Sequence, residues 1–384
     1  MRSEMIPLFK PFMADTVDEE LSKVLHSGYI GQGQKVEEFE EDLRNVFKND
    51  YVVTVNSATS GLHLAIHMVK EEWGEVLATP LTCTATNFPI LANECSIKWV
   101  DVDPYTFNMD LDDLARKITK HTKLIVLVHW GGSPIDYSKL YSVLNMAYQK
   151  FGFRPTVIED CAHAMGAKYY NVPIASRLDH IRVFSFQAIK QITSIDGGVI
   201  VFPNEELYRR AKLLRWYGID RETNKKDMRC EADIKEWGFK FHMNDVNATI
   251  GIENLKYLDD AMSHVKMLAK MYDDRLMLID EILPQVHAEG AESAYWLYTI
   301  RANDRDNLAT FMTEKGVMVS KVHERVDKHS CMNDYKAILP TLDSVAAEMI
   351  SIPIGWWVTE DNVHYICDCV EEFYGMERGN KKDI

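Results

Sequence analysis

Lys190 is the only amine-bearing side chain in the segment from Phe184 to Gly198. Ser185 precedes it by five residues, and Asp196 and two glycines follow it. A lysine that forms a Schiff base must be partly desolvated, so that its neutral amine is available near pH 7. Most lysines are instead solvated surface residues, and this spacing alone leaves both interpretations open.

A run of small residues from Asn56 to Gly61 follows an apolar run and opens a helix-like segment. The N-terminus of a helix carries unpaired N–H groups and a partial positive charge, so it binds phosphate readily. An ordinary N-cap by serine or threonine explains the same run at least as well. By itself, the run is a weak signal.

Two acids and a histidine follow the apolar residues Val157 and Ile158. A carboxylate at the carboxyl end of a strand can hold a heteroaromatic nitrogen protonated, which strengthens a pyridine ring as an electron sink. Asp160 is our candidate for that role. The alternatives are a helix-capping acid or a metal ligand paired with His163, although no third ligand stands at a recognisable spacing. His163 is equally compatible with a buried, hydrogen-bonded histidine.

These separate candidates fit one cofactor. Pyridoxal 5′-phosphate (PLP) requires a lysine for the Schiff base, an acid for the ring nitrogen, and a hydroxyl group and a helix N-terminus for the phosphate. These requirements are met in turn by Lys190, Asp160, Ser185 and the run from Asn56 to Gly61. Their coincidence is a stronger indication than any one of them, and we predict a PLP site without a metal ion.

The composition is that of an ordinary globular protein, with 46% hydrophobic and 26% charged residues, which excludes the disordered and fibrous classes. The 384 residues exceed one ordinary core, and about two or three domains are expected. The formal net charge of −15 argues against nucleic-acid binding, since a polyanion would be repelled.

Seven cysteines are scattered along the chain without the paired spacing of zinc sites. Free thiols in a reducing cytoplasm are the simplest explanation. The N-terminus has no apolar signal core, and no run approaches the roughly 18 apolar residues that a membrane span requires. We therefore expect a cytoplasmic protein without a membrane segment.

Short apolar runs alternate with helix-like segments in the first half of the chain. The runs predict strands at 51–55, 75–78, 97–102, 124–128, 156–158, 181–184 and 199–202. This alternation predicts an α/β fold with a mostly parallel sheet covered on both faces. Ligands of such sheets bind at the carboxyl ends of the strands.

Beyond residue 274 the pattern is mixed, with a strand predicted at 296–301 and helices at 305–315 and 361–373. A helix over 245–258 is expected to lead out of the large domain. The longest predicted loop, at 218–237, is rich in charge. The predicted units are an N-terminal arm (1–20), a large PLP-binding domain (21–258) and a small C-terminal α+β domain (259–384).

The chain resembles the DegT/StrS family of PLP-dependent sugar-nucleotide aminotransferases, whose members have the type I aminotransferase fold. The resemblance runs nearly end to end. The segments that carry it are Ile6–Leu8, Ser27–Glu40, Asn56–Gly61, Glu159–Asp160, the segment around Lys190, and Gly238–Ala248. It implies a large domain with a mostly parallel mixed sheet and a smaller C-terminal α+β domain.

The resemblance also implies roles for the matching residues. Lys190 would form the internal aldimine and move protons between the substrate carbon and C4′ of the cofactor, and Asp160 would pair with the pyridine nitrogen. His163, where relatives often have glutamine, would lie near the ring and its 3′ oxygen. The residues that match phosphate ligands are Ala58, Thr59, Ser185 and, from a neighbouring subunit, Lys240. Relatives commonly have asparagine at the last position, where a lysine could act as a point charge.

Two positions depart from the family's pattern. Many relatives have an aromatic residue where this chain has Cys83 or Thr84. Phe88 lies one helical turn beyond Thr84, so we predict that Phe88 stacks on the cofactor, with packing in the core as the alternative. The second departure is Asp196, where relatives usually have glutamate, and the shorter side chain should be tolerated.

The implied reaction transfers the amino group of glutamate to PLP and then to the keto carbon of a nucleotide-linked 4-keto-6-deoxy sugar. The product would be a 4-amino-4,6-dideoxy sugar nucleotide for glycan or polysaccharide biosynthesis, with amination at C3 as the alternative. A PLP-dependent sugar dehydratase is disfavoured, because such relatives have histidine in place of Lys190. A non-catalytic binding protein of the same fold is disfavoured by the intact set of Asp160, Ser185 and Lys190.

Three residues are candidates for contacts with the sugar nucleotide. His323 matches a C-terminal region that approaches the sugar nucleotide in relatives, and Tyr29 is a second candidate. Arg325 has a planar guanidinium that suits a nucleotide phosphate, with an ordinary surface position as the alternative. The segments that can border the pocket contain His129, Trp130 and Arg215.

The quaternary structure is also implied by the resemblance. Relatives form dimers whose active sites include residues of both subunits. We therefore predict at least a homodimer, in which residues 29–33 and Lys240 reach the neighbouring active site.

Overall fold

The computed structural model describes residues 5–70, 74–221 and 233–375. In chain order, the helices and strands of these residues are α1 (Val17–Leu25), α2 (Gln34–Phe47), β1 (Val52–Val55), α3 (Ala58–Val69), β2 (Glu75–Ala78), α4 (Thr84–Ala92), β3 (Ser96–Trp99), α5 (Leu111–Lys117), β4 (Thr122–Val128), α6 (Tyr137–Phe151), β5 (Thr156–Asp160), β6 (Lys168–Tyr169), β7 (Val172–Pro173), β8 (Ile181–Ser185), β9 (Gly198–Val201), α7 (Glu205–Leu214), α8 (Asp245–Leu255), α9 (Leu258–Leu276), β10 (Ile282–Pro284), β11 (Ala291–Glu292), β12 (Tyr298–Ala302), α10 (Arg305–Glu314), α11 (Pro340–Glu348), β13 (Met349–Ile352) and α12 (Glu360–Phe373). The loop predicted at 218–237 lies partly outside the described residues.

A seven-stranded sheet forms the centre of the structure, in the order β1-β9-β8-β5-β4-β2-β3. The strands from β8 to β3 in this order run parallel to one another, and β9 is antiparallel to both of its neighbours. Each strand predicted for this part of the chain is present, with small shifts at the ends. The predicted α/β class with a mostly parallel, mixed sheet is therefore confirmed.

Both faces of the sheet are covered by helices. Alternate residues of a strand point to opposite faces, and in β4 Ile125 and Leu127 join one hydrophobic cluster whereas Leu124 and Val126 join another. The first cluster includes apolar residues of α2 and α6, and the second includes those of α3 and α4. Because both faces are buried, the strands are continuous apolar runs rather than alternating ones.

The carboxyl ends of the parallel strands meet at one edge of the sheet. At this edge β5 ends at Asp160, β8 ends at Ser185, and β1 leads into the turn before α3. Gly198 of β9 stands between the two strands that neighbour β9, opposite Val55 of β1 on one side and Ser185 of β8 on the other. The predicted acid, the predicted serine and the predicted small-residue run therefore lie at the same edge.

A separate three-stranded antiparallel sheet, in the order β10-β12-β13, lies in the C-terminal part of the described chain. The helices α9 and α10 pack against its strands, and α12 packs against both helices. The helix predicted over 245–258 is divided into α8 and α9, and β12 begins at Tyr298, later than the predicted start at 296. The domain boundaries stay predictions, although α9 begins at Leu258, where the predicted large domain ends.

The N-terminal arm is tied to the C-terminal part of the chain. The indole N–H of Trp356 donates a hydrogen bond to the carbonyl of Lys10 at 2.9 Å, and that of Trp357 donates to the carbonyl of Pro7 at 2.9 Å. The arm therefore lies against the loop before α12. Helix α1 begins inside the arm predicted over residues 1–20.

Among the described helices, none is long and apolar enough to cross a membrane. The cysteines that the structure describes, at positions 83, 95, 161, 331, 367 and 369, are free thiols. Cys230 lies outside the described residues.

Glu159 is the centre of a buried polar network next to the carboxyl edge of the seven-stranded sheet. Its carboxylate accepts two hydrogen bonds from Arg182, at 2.8 and 2.9 Å, and one from Tyr137 at 2.5 Å. The rings of His129 and His180 complete the network. Burial alone would raise the pKa of Glu159, but the guanidinium and the histidine hydrogen bonds hold that pKa well below its ordinary value. The network fixes the end of β5, from which Asp160 extends.

Replacing Glu159 with glutamine should reduce the free energy of unfolding by about 3 kcal/mol or more, because it leaves the buried guanidinium without its main counter-charge. The folded-state pKa lies below the unfolded value, so the stabilisation is present at neutral pH and is lost as the pH falls through the folded-state pKa. Urea unfolding at neutral pH measures the change.

A matched control is Asp274→Asn, which removes an exposed ion pair with Lys270. We expect it to change the free energy of unfolding by less than about 1 kcal/mol. A Glu159→Gln effect as small as that of the control would contradict a stabilising role for the network.

Candidate active site

Lys190 lies at the carboxyl edge of the sheet, in the loop between β8 and β9. Its Nζ atom is 3.4 Å from the centroid of the Trp296 ring. Burial lowers the pKa of Lys190 to about 7, against a smaller opposing effect of the Asp160 carboxylate. A large fraction of this amine is therefore neutral, and hence nucleophilic, near neutral pH.

The Asp160 carboxylate is buried at the end of β5 and accepts two hydrogen bonds. Thr86 donates its hydroxyl to Oδ2 at 2.6 Å, and the backbone N–H of Ala162 donates to Oδ1 at 2.9 Å. Burial raises the pKa of Asp160, while these hydrogen bonds and the amine of Lys190 act in the opposite direction. The carboxyl group is thus held in one orientation in a dry site, where its charge acts strongly on a nearby nitrogen.

The predicted phosphate-binding turn stands at the N-terminus of α3. Ser57 is the N-cap, and its side-chain oxygen accepts a backbone hydrogen bond from the first helical turn at 3.1 Å. Ala58 is the first helical residue, and Thr59 is exposed. A Cβ atom on Gly198 would lie 2.5 Å from the backbone nitrogen of Ala58, so only glycine permits this close approach. Gly198 of β9 is paired with the end of β1, which leads into this turn, and with Ser185 of β8. The turn and Ser185 therefore lie near each other at the edge of the sheet.

Two histidines stand beside Lys190, the buried His163 and the partly buried His323. The ring of His163 stacks on Trp296, with centroids 3.9 Å apart and planes at 23°, and the ring of His323 lies parallel to His163 at 5.9 Å. Burial lowers the pKa of His163 well below its ordinary value and that of His323 to about 4. Both imidazoles are therefore neutral at physiological pH. Nδ1 of His163 and Nε2 of His323 are buried without a hydrogen-bond partner among the described residues.

These residues fit PLP. A buried polar atom without a partner is costly, so the two free ring nitrogens beside the amine indicate a place for a polar ligand. The buried acid suits the nitrogen of a pyridine ring, and the N-terminus of α3 suits a phosphate. Lys190, with its lowered pKa, suits an aldehyde.

Phe88 does not fit the stacking role that the sequence predicted. It is 38% exposed, and it lies two residues after Thr86 on α4. Residues two apart on a helix are separated by roughly 200° around its axis. Phe88 therefore points away from Asp160, which Thr86 contacts, and its exposure does not fit core packing either.

Arg325 is buried, and its guanidinium is paired with two carboxylates. Nε and Nη2 donate to Asp327 at 3.0 and 2.6 Å, and Nη1 donates to Asp343. The charge is thus neutralised within the fold. The structure favours neither the predicted contact with a nucleotide phosphate nor the surface position that was the alternative.

The residues predicted to border the pocket differ in their placement. Arg215 is buried in an ion pair with Glu40, and His129 belongs to the buried network around the neighbouring strand end. Trp130 has its ring edge-on to both histidines of the site, with centroids 5.9 and 6.0 Å away. Of these three residues, Trp130 is the one that borders the site.

Of the residues predicted to reach a neighbouring subunit, 29–31 and Lys240 are exposed, whereas Gln32 and Gly33 are partly buried. Tyr29 is 80% exposed, and Lys240 is exposed as well. The backbone carbonyl of Lys240 accepts a hydrogen bond from Asn56 of the same chain at 3.4 Å, which places its segment beside the N-terminus of α3. Contacts of these two side chains with a second subunit stay predictions.

Two residues of the site, Thr86 and Trp296, were not predicted. Thr86 lies between Cys83 and Phe88, in the segment expected to supply an aromatic ring, and its hydroxyl donates a hydrogen bond to Asp160. Trp296 donates its indole N–H to the carbonyl of Ile189, 107 positions away in the chain. A contact at that separation leaves no local signal in the sequence.

Fold and site together place the protein among the PLP-dependent enzymes of the type I aminotransferase fold. Its sequence matches the DegT/DnrJ/EryC1/StrS aminotransferase family over residues 11–371, and the protein belongs to this family. The family resemblance and the PLP cofactor expected from the sequence are thereby confirmed.

Two solved structures are similar to this chain over nearly their whole length. The sugar aminotransferase CalS13 from Micromonospora echinospora is 40% identical with a TM-score of 0.92, covering 96% of this chain and 100% of that one. AtS13 from Actinomadura melliaura is 43% identical with a TM-score of 0.93, covering 97% and 100%. The uncharacterized protein MJ1066 of Methanocaldococcus jannaschii is 29% identical over 392 residues, covering 98% and 100%.

When bound, PLP supplies an aldehyde that takes up amines and a ring that withdraws electrons from the substrate carbon. The side chains of this protein supply proton transfer, orientation and exclusion of water. The Nζ atom of Lys190 can take up and return a proton near neutral pH. Asp160 favours a proton on a nearby ring nitrogen, and the neutral rings of His163 and His323 can each exchange one hydrogen bond with a ligand.

In the cofactor-free protein, the acylation rate of Lys190 should rise with pH and level off above about pH 8, because only the neutral amine reacts and burial lowers the pKa to about 7. Competitive labelling with a trace of acetic anhydride, followed by mass spectrometry of the peptides, measures the rate at each pH. Lys270, exposed on α9, is the internal control. If the acylation rates of Lys190 and Lys270 depended on pH in the same way, that result would contradict a lowered pKa for Lys190.

Proposed function

We propose that the protein transfers an amino group from glutamate to the keto carbon of a nucleotide-linked 4-keto-6-deoxy sugar. The product is a 4-amino-4,6-dideoxy sugar nucleotide for glycan or polysaccharide biosynthesis. The partly buried amine of Lys190, with its pKa lowered to about 7, is the observation that carries this proposal. An amine in that state suits amino transfer. The similarity to CalS13, a sugar aminotransferase, supports a sugar as the acceptor.

The surroundings of the Lys190 amine suit a sugar ring. The rings of His163 and His323 stand beside it, with Trp130 edge-on to both, and both histidines are neutral. Aromatic rings and neutral imidazoles offer apolar contact with a few hydrogen bonds, which is how pockets bind hydroxyl-bearing ligands. We propose that His323 contacts the sugar through Nε2, which has no partner in the described part of the chain.

The position of amination distinguishes two candidate reactions at this site. We favour C4, because the segments at 81–86 and 322–325 resemble those of relatives that act on 4-keto sugars. Amination at C3 is the alternative. The dehydratase alternative is disfavoured by Lys190, whose amine is present and desolvated.

We further propose that the enzyme acts as at least a homodimer in the cytoplasm. The exposure of Tyr29 and Lys240 leaves both side chains accessible to a second subunit. Free thiols in the described chain are compatible with a reducing compartment. Glutamate and the sugar nucleotide use one site in turn, so ping-pong kinetics are expected.

Incubation with PLP, glutamate and a panel of GDP-, dTDP- and UDP-linked keto sugars tests the proposed reaction. We expect a 4-keto sugar nucleotide to gain an amino group, with an equal amount of 2-oxoglutarate, as measured by mass spectrometry and NMR. Lys190→Ala should reduce turnover by at least about 10³-fold. It should also lose the absorbance band that borohydride removes from the wild-type protein with PLP.

Amination at C3 in the same panel would favour the alternative reaction. A wild-type protein that binds PLP but aminates no member of the panel would refute the proposed substrate class. A wild-type protein without a borohydride-sensitive band would refute the proposed chemistry of Lys190.

His323→Leu should raise the KM for the sugar nucleotide about tenfold, because it removes one hydrogen bond to the sugar. The half-reaction with glutamate should stay close to wild type. Stopped-flow measurement of each half-reaction separates the two effects, and Lys321→Met, at an exposed ion pair nearby, is the control. An equal loss in both half-reactions would argue against a sugar-specific contact.

A further inference from the structure

Trp296 contacts Lys190 and the residue before it. The Nζ atom of Lys190 lies 3.4 Å from the centroid of the indole ring, and the indole N–H donates to the carbonyl of Ile189 at 2.8 Å. Phe9 stacks on the same indole, with centroids 5.2 Å apart and planes at 22°, and His163 stacks on it at 3.9 Å. The indole is therefore fixed by a hydrogen bond and by ring contacts, and its π system is in contact with the amine.

The backbone around Trp296 is also fixed. The N–H groups of Ala294 and Leu297 donate to the carbonyls of Gly132 and Gly131, at 3.0 and 3.3 Å. Gly132 has a φ of +100°, and a Cβ atom there would lie 2.7 Å from the carbonyl oxygen of His163. The backbone hydrogen bonds to this tight turn hold the segment that carries Trp296 next to the active site. The indole is thus a rigid surface rather than a mobile side chain.

An indole face attracts an ammonium group but has little attraction for a neutral amine. Burial acts in the opposite sense, because it disfavours the charged form. The indole face and the burial therefore have opposite effects on the charge of the Lys190 amine. A proton gained at Nζ strengthens the contact of the amine with the ring, and a proton lost weakens it. The position of the amine is thereby coupled to its protonation.

We propose that Trp296 is a positioning residue that holds the ε-ammonium of Lys190 on its indole face whenever the amine is not covalently engaged. The role in turnover rests on the proposed function, since a transferase must release its lysine and later use it again. During that interval the protonated side chain would stay on a rigid surface beside the reacting atoms. Loss of the proton would free the amine to react.

A double-mutant cycle in the cofactor-free protein tests the contact. The variants are Lys190→Met, Trp296→Leu and the double variant, and urea unfolding of each is measured at about pH 6 and about pH 9, on either side of the pKa of about 7. At the lower pH, we expect the two side chains to be coupled by roughly threefold to tenfold in the unfolding equilibrium constant. At the higher pH the coupling should disappear, because the amine is neutral.

Two further variants make the cycle decisive. Trp296→Phe keeps a smaller ring, so its cycle should show a weaker coupling with the same pH dependence, and it replaces Trp296→Leu if that variant does not fold. Phe9→Leu is the control, because Phe9 stacks on the indole rather than on the amine. Its cycle with Lys190→Met should show no dependence on pH.

Coupling of equal size at both pH values would mean that Trp296 only fills space, and no coupling at the lower pH would mean that it does not hold the ammonium. Either result overturns the proposal. Neither result bears on amino transfer, because the cycle uses no cofactor and no substrate. Conversely, a failure of the sugar panel would leave the cycle intact.

Discussion

The partial burial of one amine, that of Lys190, is the constraint on which the active site depends. A lysine loses its hydration when it is buried, and the fold compensates the charge of Lys190 only in part, through the carboxylate of Asp160 and the ring of Trp296. Its pKa in the folded protein is therefore far below that of a solvated lysine. Between these two values the unfolded chain binds more protons, so folding is opposed at neutral pH and favoured as the pH rises. The burial that makes the amine reactive therefore also lowers the stability of the folded protein at neutral pH.

The sheet brings the remaining groups to that amine. Parallel strands place the ends of β5 and β8 at one edge, and the reversed strand β9 joins β8 to β1. The reversal allows Gly198 to stand between Ser185 and the turn that opens α3. An acid, an amine and a helix N-terminus from distant parts of the chain thus meet at one edge of the sheet. The buried network of Glu159 holds the strand end from which the acid extends.

Most of the fold and the centre of the site were predictable from the sequence, because their signals are local. A continuous apolar run indicates a buried strand, and strand ends indicate where ligands bind, so Lys190, Asp160 and Ser185 could be placed at one edge. The pairing of Arg325 could not be predicted in this way, because one of its two partners, Asp343, becomes a neighbour only in the folded chain. The prediction that Phe88 stacks on the cofactor does not fit the structure for a different reason. Phe88 and Thr84 are spaced to share a helix face, but that face is not the one that meets Asp160.

The N-terminal arm binds residues that are synthesised much later than the arm itself. Its carbonyls at Pro7 and Lys10 are bound by indoles that lie 350 and 346 positions later. The arm is therefore synthesised long before the indoles that bind it, and Phe9 has no stacking partner until Trp296 has been synthesised. A nascent chain that has not yet reached Trp356 and Trp357 therefore lacks the hydrogen bonds that hold the arm, with Phe9, beside Trp296.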